Sequence, residues 1–182
     1  MNITIVLGTA REGRLSERAA FMLERQLAAK NQNATIIDVA QLDLEIFKGL
    51  HGKYEYNNPK LDEAKTQLET ADAMIFVTPE YNGSIASSLK NFIDLFAKKP
   101  FDGKPIGVCT VSSGAMGGIR AAYQLQQIIL SIFAYPQPRM LTIGNIQNHL
   151  DSEGAILTDD FAKKTEQFLS AFLGWAGKFI IP

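Results

Sequence analysis

Short apolar segments alternate with amphipathic segments along the chain. The first apolar segment, Asn2 to Leu7, is rich in β-branched residues and stops at Gly8, which is typical of a strand buried on both faces of a parallel sheet. Apolar residues then recur at helical spacing, with charged residues on the opposite face; they are Leu15, Ala19, Met22, Leu23 and Leu27. The chain therefore begins with a strand, a tight loop and an amphipathic helix.

The same alternation continues along the rest of the chain. It predicts further strands over residues 34–39, 73–78, 104–111 and 139–143, and further helices over 59–70, 87–98, 117–133 and 159–178. Strands that alternate with helices pair in parallel through right-handed crossovers. We therefore predict an α/β fold in which one doubly wound, five-stranded parallel sheet has the order 2-1-3-4-5 and helices cover both faces. We expect one domain over residues 1–182.

Three loops of this sheet are candidates for a ligand site. In an open, doubly wound sheet, ligands bind beyond the carboxyl ends of the strands, at the point where the strand order reverses. In the predicted order, that point is surrounded by the loops after strands one, three and four. We call residues 8–16 the first loop, residues 79–84 the second loop and residues 112–118 the third loop.

The charge and cysteine content exclude several kinds of partner. The 18 basic and 19 acidic side chains give a formal net charge of -1, so no overall field attracts nucleic acid or an anionic membrane. No apolar run is as long as the about 18 residues needed to span a bilayer. The apolar segment at the amino terminus is too short for the core of a signal peptide. The single Cys109 and the two distant histidines, His51 and His149, indicate a reducing compartment and no metal site. We expect a cytoplasmic protein.

The first loop has the side chains of an anion site. It joins a strand to the start of a helix, where free backbone N–H groups and the helix dipole attract phosphate. Hydroxyl and guanidinium donors suit the same chemistry, and they belong to Thr9, Arg11, Arg14 and Ser16. Gly8 and Gly13 let the backbone approach an anion closely, whereas the Walker A and dinucleotide glycine motifs are absent. A mononucleotide phosphate fits this loop; the alternative is that Ser16 is an ordinary N-cap and that the arginines are solvated.

The second loop carries the most specific motif of the chain. It reads Pro79-Glu80-Tyr81-Asn82-Gly83-Ser84, and the next helix contains Leu89-Lys90-Asn91-Phe92-Ile93-Asp94. This pair of segments resembles the NADPH-dependent FMN reductase family, flavodoxin-like enzymes that include azo, quinone and chromate reductases. The first loop is similar to the phosphate loop of that family. Ala86 stands where the family usually has a proline. This difference changes how the chain enters the next helix, but the expected flavin contacts lie before this position.

The physical chemistry of the second loop agrees with this resemblance. Asn82-Gly83 is a turn pair that exposes backbone N–H groups, and Tyr81 offers a flat face against which an isoalloxazine can pack. Glu80 is expected to orient the loop, and Pro79 to fix the chain direction after the strand. The Ser84 hydroxyl and the Asn82 side-chain amide are expected to form hydrogen bonds with the ribityl chain or a flavin edge. The alternative is a tight turn whose Tyr81 packs on the core.

The third loop is also similar to the family, in which the corresponding loop lies against the pyrimidine edge of the flavin. Its candidate residues are small, and they are Ser112, Ser113, Gly114 and Gly117. Backbone N–H groups of a glycine-rich turn can donate to the flavin O2 and N1 region, where negative charge develops on reduction. The alternative is a plain helix-entry turn.

Residues 47–58, which hold several aromatic side chains, are expected either to cover the flavin of a partner subunit or to pack on their own sheet.

The resemblance implies an NAD(P)H-dependent FMN oxidoreductase. FMN is the expected cofactor, NADPH or NADH the expected electron donor, and a quinone, azo compound, flavin or similar small molecule the expected acceptor. Because the cofactor carries the chemistry, no catalytic acid or base and no metal is predicted. The alternative is a flavodoxin-like electron carrier or a redox-sensing FMN-binding protein. Members of the family usually form dimers or tetramers, so we expect a homodimer or homotetramer, with the helices over 86–98 and 117–133 as contact surfaces.

Overall fold

The computed structural model describes residues 1–96 and 98–180. Ala97, which belongs to the predicted helix over 87–98, and residues 181–182 lie outside the described residues. The strands in this part of the chain are β1 (Asn2–Leu7), β2 (Asn33–Asp38), β3 (Ala73–Tyr81), β4 (Ser84–Ile85), β5 (Pro105–Val111), β6 (Tyr135–Pro136) and β7 (Leu141–Ile143). The α-helices are α1 (Ser16–Ala29), α2 (Lys60–Thr70), α3 (Ser87–Phe96), α4 (Ile119–Ser131) and α5 (Asp159–Ala176). Short 3-10 helices cover Val39–Leu42 and Ile146–Asn148.

The strand order confirms the predicted topology. β2, β1, β3 and β5 lie side by side in parallel, and both β6 and β7 continue the sheet beyond β5. β6 pairs with the first two residues of β5, whereas β7 pairs with residues 109–111. The predicted fifth strand over 139–143 is therefore β7, and the sequence pattern does not predict β6. Pro136 and Pro138 cannot donate backbone hydrogen bonds, which explains why this edge strand is divided.

Both faces of the sheet are buried under helices. Side chains of each strand alternate between the two faces, so that Val6 packs with α2, α3 and α4, while Ile5 and Leu7 pack with α1 and α5. Phe92 is fully buried in the first of these layers and Phe172 in the second. Burial of each such side chain contributes about 1.5–3 kcal/mol. The two apolar layers therefore hold the sheet, and with it the carboxyl ends of its strands, in a fixed position.

The second loop is a β-hairpin, which corrects the predicted strand end at residue 78. β3 continues through Pro79 and Glu80 to Tyr81, and its last two residues pair antiparallel with β4. The turn residues Asn82 and Gly83 have φ of 51° and 81°. Two positive φ values in succession are what a two-residue type I′ turn requires, and Asn-Gly is the preferred pair for it.

Several helix boundaries also differ from the predicted ones. α4 begins at Ile119 instead of residue 117, because Gly117 and Gly118 have φ of 63° and 77° and thus lie outside the helical region. α2 begins immediately after Pro59 rather than on it. No helix within residues 1–96 and 98–180 is both long and apolar enough to cross a bilayer.

Candidate functional site

Neighbouring residues fix the point at which the first loop leaves the sheet. The Gly8 N–H donates to the Val77 carbonyl, and the Ser88 hydroxyl donates to the Gly8 carbonyl, each over 2.8 Å. A Cβ atom on Gly8 would lie 2.7 Å from the Leu89 Cβ, closer than side-chain atoms approach one another. The packing of α3 therefore requires a glycine here, whereas the sequence led us to expect that Gly8 serves the approach of an anion.

Arg14 fastens the first loop to the end of β2. Its guanidinium group donates to the Thr9 carbonyl over 2.6 Å and to the Asp38 carboxylate over 2.5 Å, and only 10% of its side chain is exposed. Asp38 also accepts a hydrogen bond from the Ala40 N–H, over 3.0 Å. Arg14, predicted as a phosphate donor, thus has an internal partner that the local sequence pattern does not reveal.

The remaining donors of the first loop are less engaged. Ser16 is the first residue of α1 and is 1% exposed. Among the described residues, its hydroxyl has no hydrogen-bond partner. The first N–H groups of an α-helix lack intrahelical acceptors, so Ser16 places a buried hydroxyl beside a natural anion site. The Arg11 side chain is exposed, and the Thr9 hydroxyl is buried 3.2 Å from the Tyr81 hydroxyl.

The hairpin of the second loop is connected to α4 by its polar side chains. The Glu80 carboxylate accepts from the Arg120 N–H over 3.2 Å and from the Arg120 Nε over 2.7 Å. The Ser84 hydroxyl donates to the Gln124 side-chain oxygen over 2.5 Å. These contacts orient the hairpin, as the sequence led us to expect for Glu80. Tyr81 is half-buried beside the first loop, and the Asn82-Gly83 turn lies at the tip.

The third loop is folded against the residues that follow β7. The Ser112 hydroxyl donates to the Gly114 carbonyl over 2.6 Å, and the Asn145 N–H donates to the same carbonyl over 3.0 Å. A Cβ atom on Gly144 would lie 2.3 Å from the Ala115 carbonyl oxygen. Gly144 and Asn145 thus support the third loop, although no sequence pattern singles them out. Ser113 lies exposed at the tip of the loop.

A large cavity of about 1300 Å³ adjoins the hairpin on the side of α3 and α4. Ala10, Tyr81, Asn82 and Ser84 form its border with the first and second loops. The other walls come from residues 39–47, after β2, and from α3 and α4. The third loop does not line the cavity. Sequence reasoning missed the wall formed by residues 39–46, because the topology, and not any local motif, brings that segment next to the hairpin. The α3 wall includes Lys90, Asn91 and Asp94, which belong to the motif that follows the second loop.

Residues 47–58 divide into two parts. Phe47 lines the large cavity. The rest packs against its own subunit, since the Tyr56 ring is buried and its hydroxyl accepts from the Lys48 N–H over 2.9 Å. The His51 N–H donates to the Leu95 carbonyl over 2.8 Å, and its Nε2 lies 2.9 Å from the Asp62 carboxylate. Of the two alternatives, packing on the same subunit therefore describes most of this segment.

A doubly wound parallel sheet with the order β2-β1-β3-β5 and three loops at the carboxyl ends of β1, β3 and β5 defines a flavodoxin-like class of protein. The sequence model described as NADPH-dependent FMN reductase matches residues 1–148, which include all three loops. A quinone reductase of Escherichia coli K12 is 30% identical over 99% of this chain and 95% of its own length. An NAD(P)H-dependent FMN reductase of Pseudomonas aeruginosa is 36% identical over 64% of this chain and 65% of its own length.

Solved structures show the same fold. The flavoenzyme NAD(P)H:acceptor oxidoreductase FerB of Paracoccus denitrificans superimposes with a TM-score of 0.81 at 22% identity, covering 98% of both chains. A flavodoxin of Pseudomonas aeruginosa superimposes with a TM-score of 0.58 at 18% identity. The chain belongs to the NADPH-dependent FMN reductase family. The predicted flavodoxin-like fold, FMN cofactor, nicotinamide donor and oxidoreductase class are thereby confirmed.

Proposed function

We propose that the three loops bind FMN and that the enzyme transfers reducing equivalents from NADPH or NADH to a quinone or a related small aromatic acceptor. The buried Ser16 hydroxyl at the start of α1 carries this proposal, because a bound phosphate would give it the partner that it lacks among the described residues. The acceptor class rests on the Escherichia coli relative, which is named a quinone reductase. The chain would act as one domain in the reducing cytoplasm, where its single, buried Cys109 stays a thiol.

The phosphate of FMN would be held by the first loop. Ser16 and the first N–H groups of α1 would donate to it, and the positive end of the helix dipole would favour its charge. Arg11, which is exposed at the mouth of the loop, would add a charge-assisted hydrogen bond. Thr9 and Arg14 would shape the loop, since both are already bonded to neighbouring residues.

The ring and the ribityl chain would be held by the second and third loops. Tyr81 would pack against the ring, with Pro79, Glu80 and the Asn82-Gly83 turn fixing the direction of the hairpin. Ser84 would contact the ribityl chain or a flavin edge. Backbone N–H groups of the third loop would donate to the pyrimidine edge of the ring, and the candidates are those of Ser112, Ser113, Gly114 and Gly117.

Bound FMN supplies the hydride chemistry. Overall, a quinone gains a hydride from the nicotinamide and a proton from water and becomes the hydroquinone. The chain itself has to orient the ring, keep its reactive edge accessible and stabilise the charge on the reduced pyrimidine edge through backbone N–H groups. These tasks require positioned donors and shaped loops, which is what the three loops offer, and they require no acid–base pair.

Titration of the purified protein with FMN tests this proposal. We expect quenching of FMN fluorescence and a protein-bound absorption band at about 450 nm, which NADPH or NADH bleaches in the absence of oxygen. Addition of 1,4-naphthoquinone should restore the band. Absence of FMN binding would refute the proposal. Binding without bleaching by either nicotinamide would instead favour the electron-carrier alternative.

We further propose that two copies of the chain associate through α4. Most large apolar residues of α3 and α4, such as Phe92 and Ile129, face the core. Tyr123 and Leu130 are instead 60% and 59% exposed, and residues seven apart lie on one face of a helix. The mass measured by light scattering should be that of a dimer or tetramer, and Leu130→Asp should lower it. A monomeric wild-type mass would exclude this assembly.

A further inference from the structure

The large cavity beside the hairpin has walls suited to a flat apolar molecule. Its apolar residues are Leu44, Ile46, Phe47, Ile85 and Ile128. Ile46 is 81% exposed and Phe47 is 41% exposed, so a ligand seated against them would remove apolar surface from water. Concave, largely apolar sites with a few polar groups are the usual binding places of small organic molecules.

The charged groups at this cavity leave a negative balance. Lys90 contributes an ammonium group to the lining, but its Nζ lies 2.7 Å and 2.8 Å from the two carboxylate oxygens of Asp94. Asp43 also lines the cavity, and within the described part of the chain it takes part in no ion pair. The Asp43 carboxylate is therefore the uncompensated charge that a ligand in this cavity meets.

We propose that this cavity is the acceptor pocket and that Asp43, together with the Lys90–Asp94 pair, makes it select uncharged planar aromatic acceptors over anionic ones. The inference rests on the proposed function, because Tyr81 and Asn82 belong both to the cavity and to the proposed flavin site. A sphere of about 1300 Å³ has a radius of about 7 Å. Asp43 is exposed to water, so across that distance, at an effective dielectric of about 40 to 80, its carboxylate weakens the binding of a monoanion by about 3- to 7-fold.

Equilibrium binding to the flavin-free protein tests the selectivity without any turnover. The probes are naphthalene-2-methanol, which is uncharged, and naphthalene-2-sulfonate, each followed by its own fluorescence in phosphate buffer that saturates the first loop. We expect Asp43→Asn to strengthen sulfonate binding by about 3- to 7-fold and to change binding of the alcohol by less than about 2-fold. Asp102→Asn is the matched control and should change neither. Asp102 is an exposed carboxylate in the turn before β5, at the amino-terminal end of that strand, whereas the cavity borders the carboxyl ends of β2 and β3.

A second variant tests the ion pair independently. Asp94→Asn releases the Lys90 ammonium group, so it should also strengthen sulfonate binding, and added salt should reduce the effect of both variants. An equal change for both probes, or no change in sulfonate binding by Asp43→Asn and Asp94→Asn, would overturn the inference. Failure of both probes to bind wild-type protein would overturn it as well.

Turnover with the FMN-loaded enzyme separates this inference from the proposed function. The ratio of kcat/KM for 1,4-naphthoquinone to that for its 2-sulfonate should fall by about 3- to 7-fold in Asp43→Asn. Comparison with wild type cancels the different intrinsic reactivities of the two quinones. Loss of FMN binding or of nicotinamide bleaching in wild-type protein would refute the proposed function, while the two binding probes would still report on the cavity.

Discussion

Replacement of Ser16 by alanine should have opposite effects on the stability of the flavin-free chain and on FMN binding. Ser16 is 1% exposed and its hydroxyl has no partner among the described residues. A buried hydroxyl without a partner costs about 1–3 kcal/mol. Ser16→Ala should therefore raise the free energy of unfolding of the flavin-free protein by up to about that amount. If the hydroxyl donates to the FMN phosphate, its loss should cost about 1.5–3 kcal/mol of binding free energy, which is about a 10- to 150-fold increase in Kd.

Two titrations measure these opposite effects. Urea unfolding of the flavin-free protein gives the change in stability, and quenching of FMN fluorescence gives Kd. Thr165→Val is the matched control, because the Thr165 hydroxyl in α5 is likewise buried and without a partner among the described residues. It should raise stability without changing the Kd for FMN. Arg11→Ala should raise Kd as well, and less so at high salt, because Arg11 is exposed.

The combined pattern decides whether Ser16 belongs to the phosphate site. A Kd within about 2-fold of wild type in Ser16→Ala would show that the hydroxyl does not donate to FMN. A loss of stability in the flavin-free variant would show that the hydroxyl already has a favourable environment and is not an unsatisfied group waiting for an anion. Only a gain in stability together with a loss of affinity agrees with the site proposed above.

Three further predictions concern the fold that supports the site. Asp38→Asn removes the charged partner of the mostly buried Arg14. It should lower the free energy of unfolding, measured by urea titration, by about 1–3 kcal/mol. An unchanged free energy of unfolding would show that the Arg14–Asp38 ion pair does not stabilise the fold. Gly118→Ala should also lower the free energy of unfolding by about 1–3 kcal/mol, because φ at Gly118 is 77° and a Cβ atom there would lie 3.0 Å from the Thr110 Cβ. Burial raises the pKa of Cys109 to about 12, from an ordinary value of 9.0. Above about pH 9 the thiol of the unfolded chain ionises while the folded thiol keeps its proton. The free energy of unfolding should therefore fall as pH rises above about 9, and this fall should be smaller in Cys109→Ala. Rapid reaction of the native thiol with iodoacetamide at about pH 8 would contradict this burial.

Hydrophobic periodicity was sufficient to predict the alternation of strands and helices, because a strand buried on both faces and an amphipathic helix each have a distinct pattern. The strand order was an expectation for an open, doubly wound sheet, and the structure confirms it. The departures occur where tertiary contacts override that pattern. The hairpin after β3 is one case: its turn pair, Asn82-Gly83, is visible in the sequence, but β4 has only two residues and no pattern of its own. The divided edge strand is another, because β6 and β7 are also too short to show a period.

Side-chain partners were less predictable than the loops themselves. Arg14 and Asp38 are 24 residues apart and meet only because β1 and β2 are neighbours in the sheet. One wall of the large cavity likewise comes from the segment after β2, which carries no recognisable motif. A local motif can identify a loop that binds phosphate, but the division of its donors between ligand and framework depends on contacts that sequence spacing does not encode.

The contacts between the loops explain how the site can be rigid before any ligand binds. The Thr9 and Tyr81 hydroxyls connect the first loop to the second, and Glu80 connects the second to α4 through Arg120. The third loop is bonded in turn to the residues after β7. None of these links uses the hydroxyl of Ser16. The framework is thus fixed by one set of polar groups while a separate donor remains for an anion, so that binding of FMN would require little additional ordering of the loops.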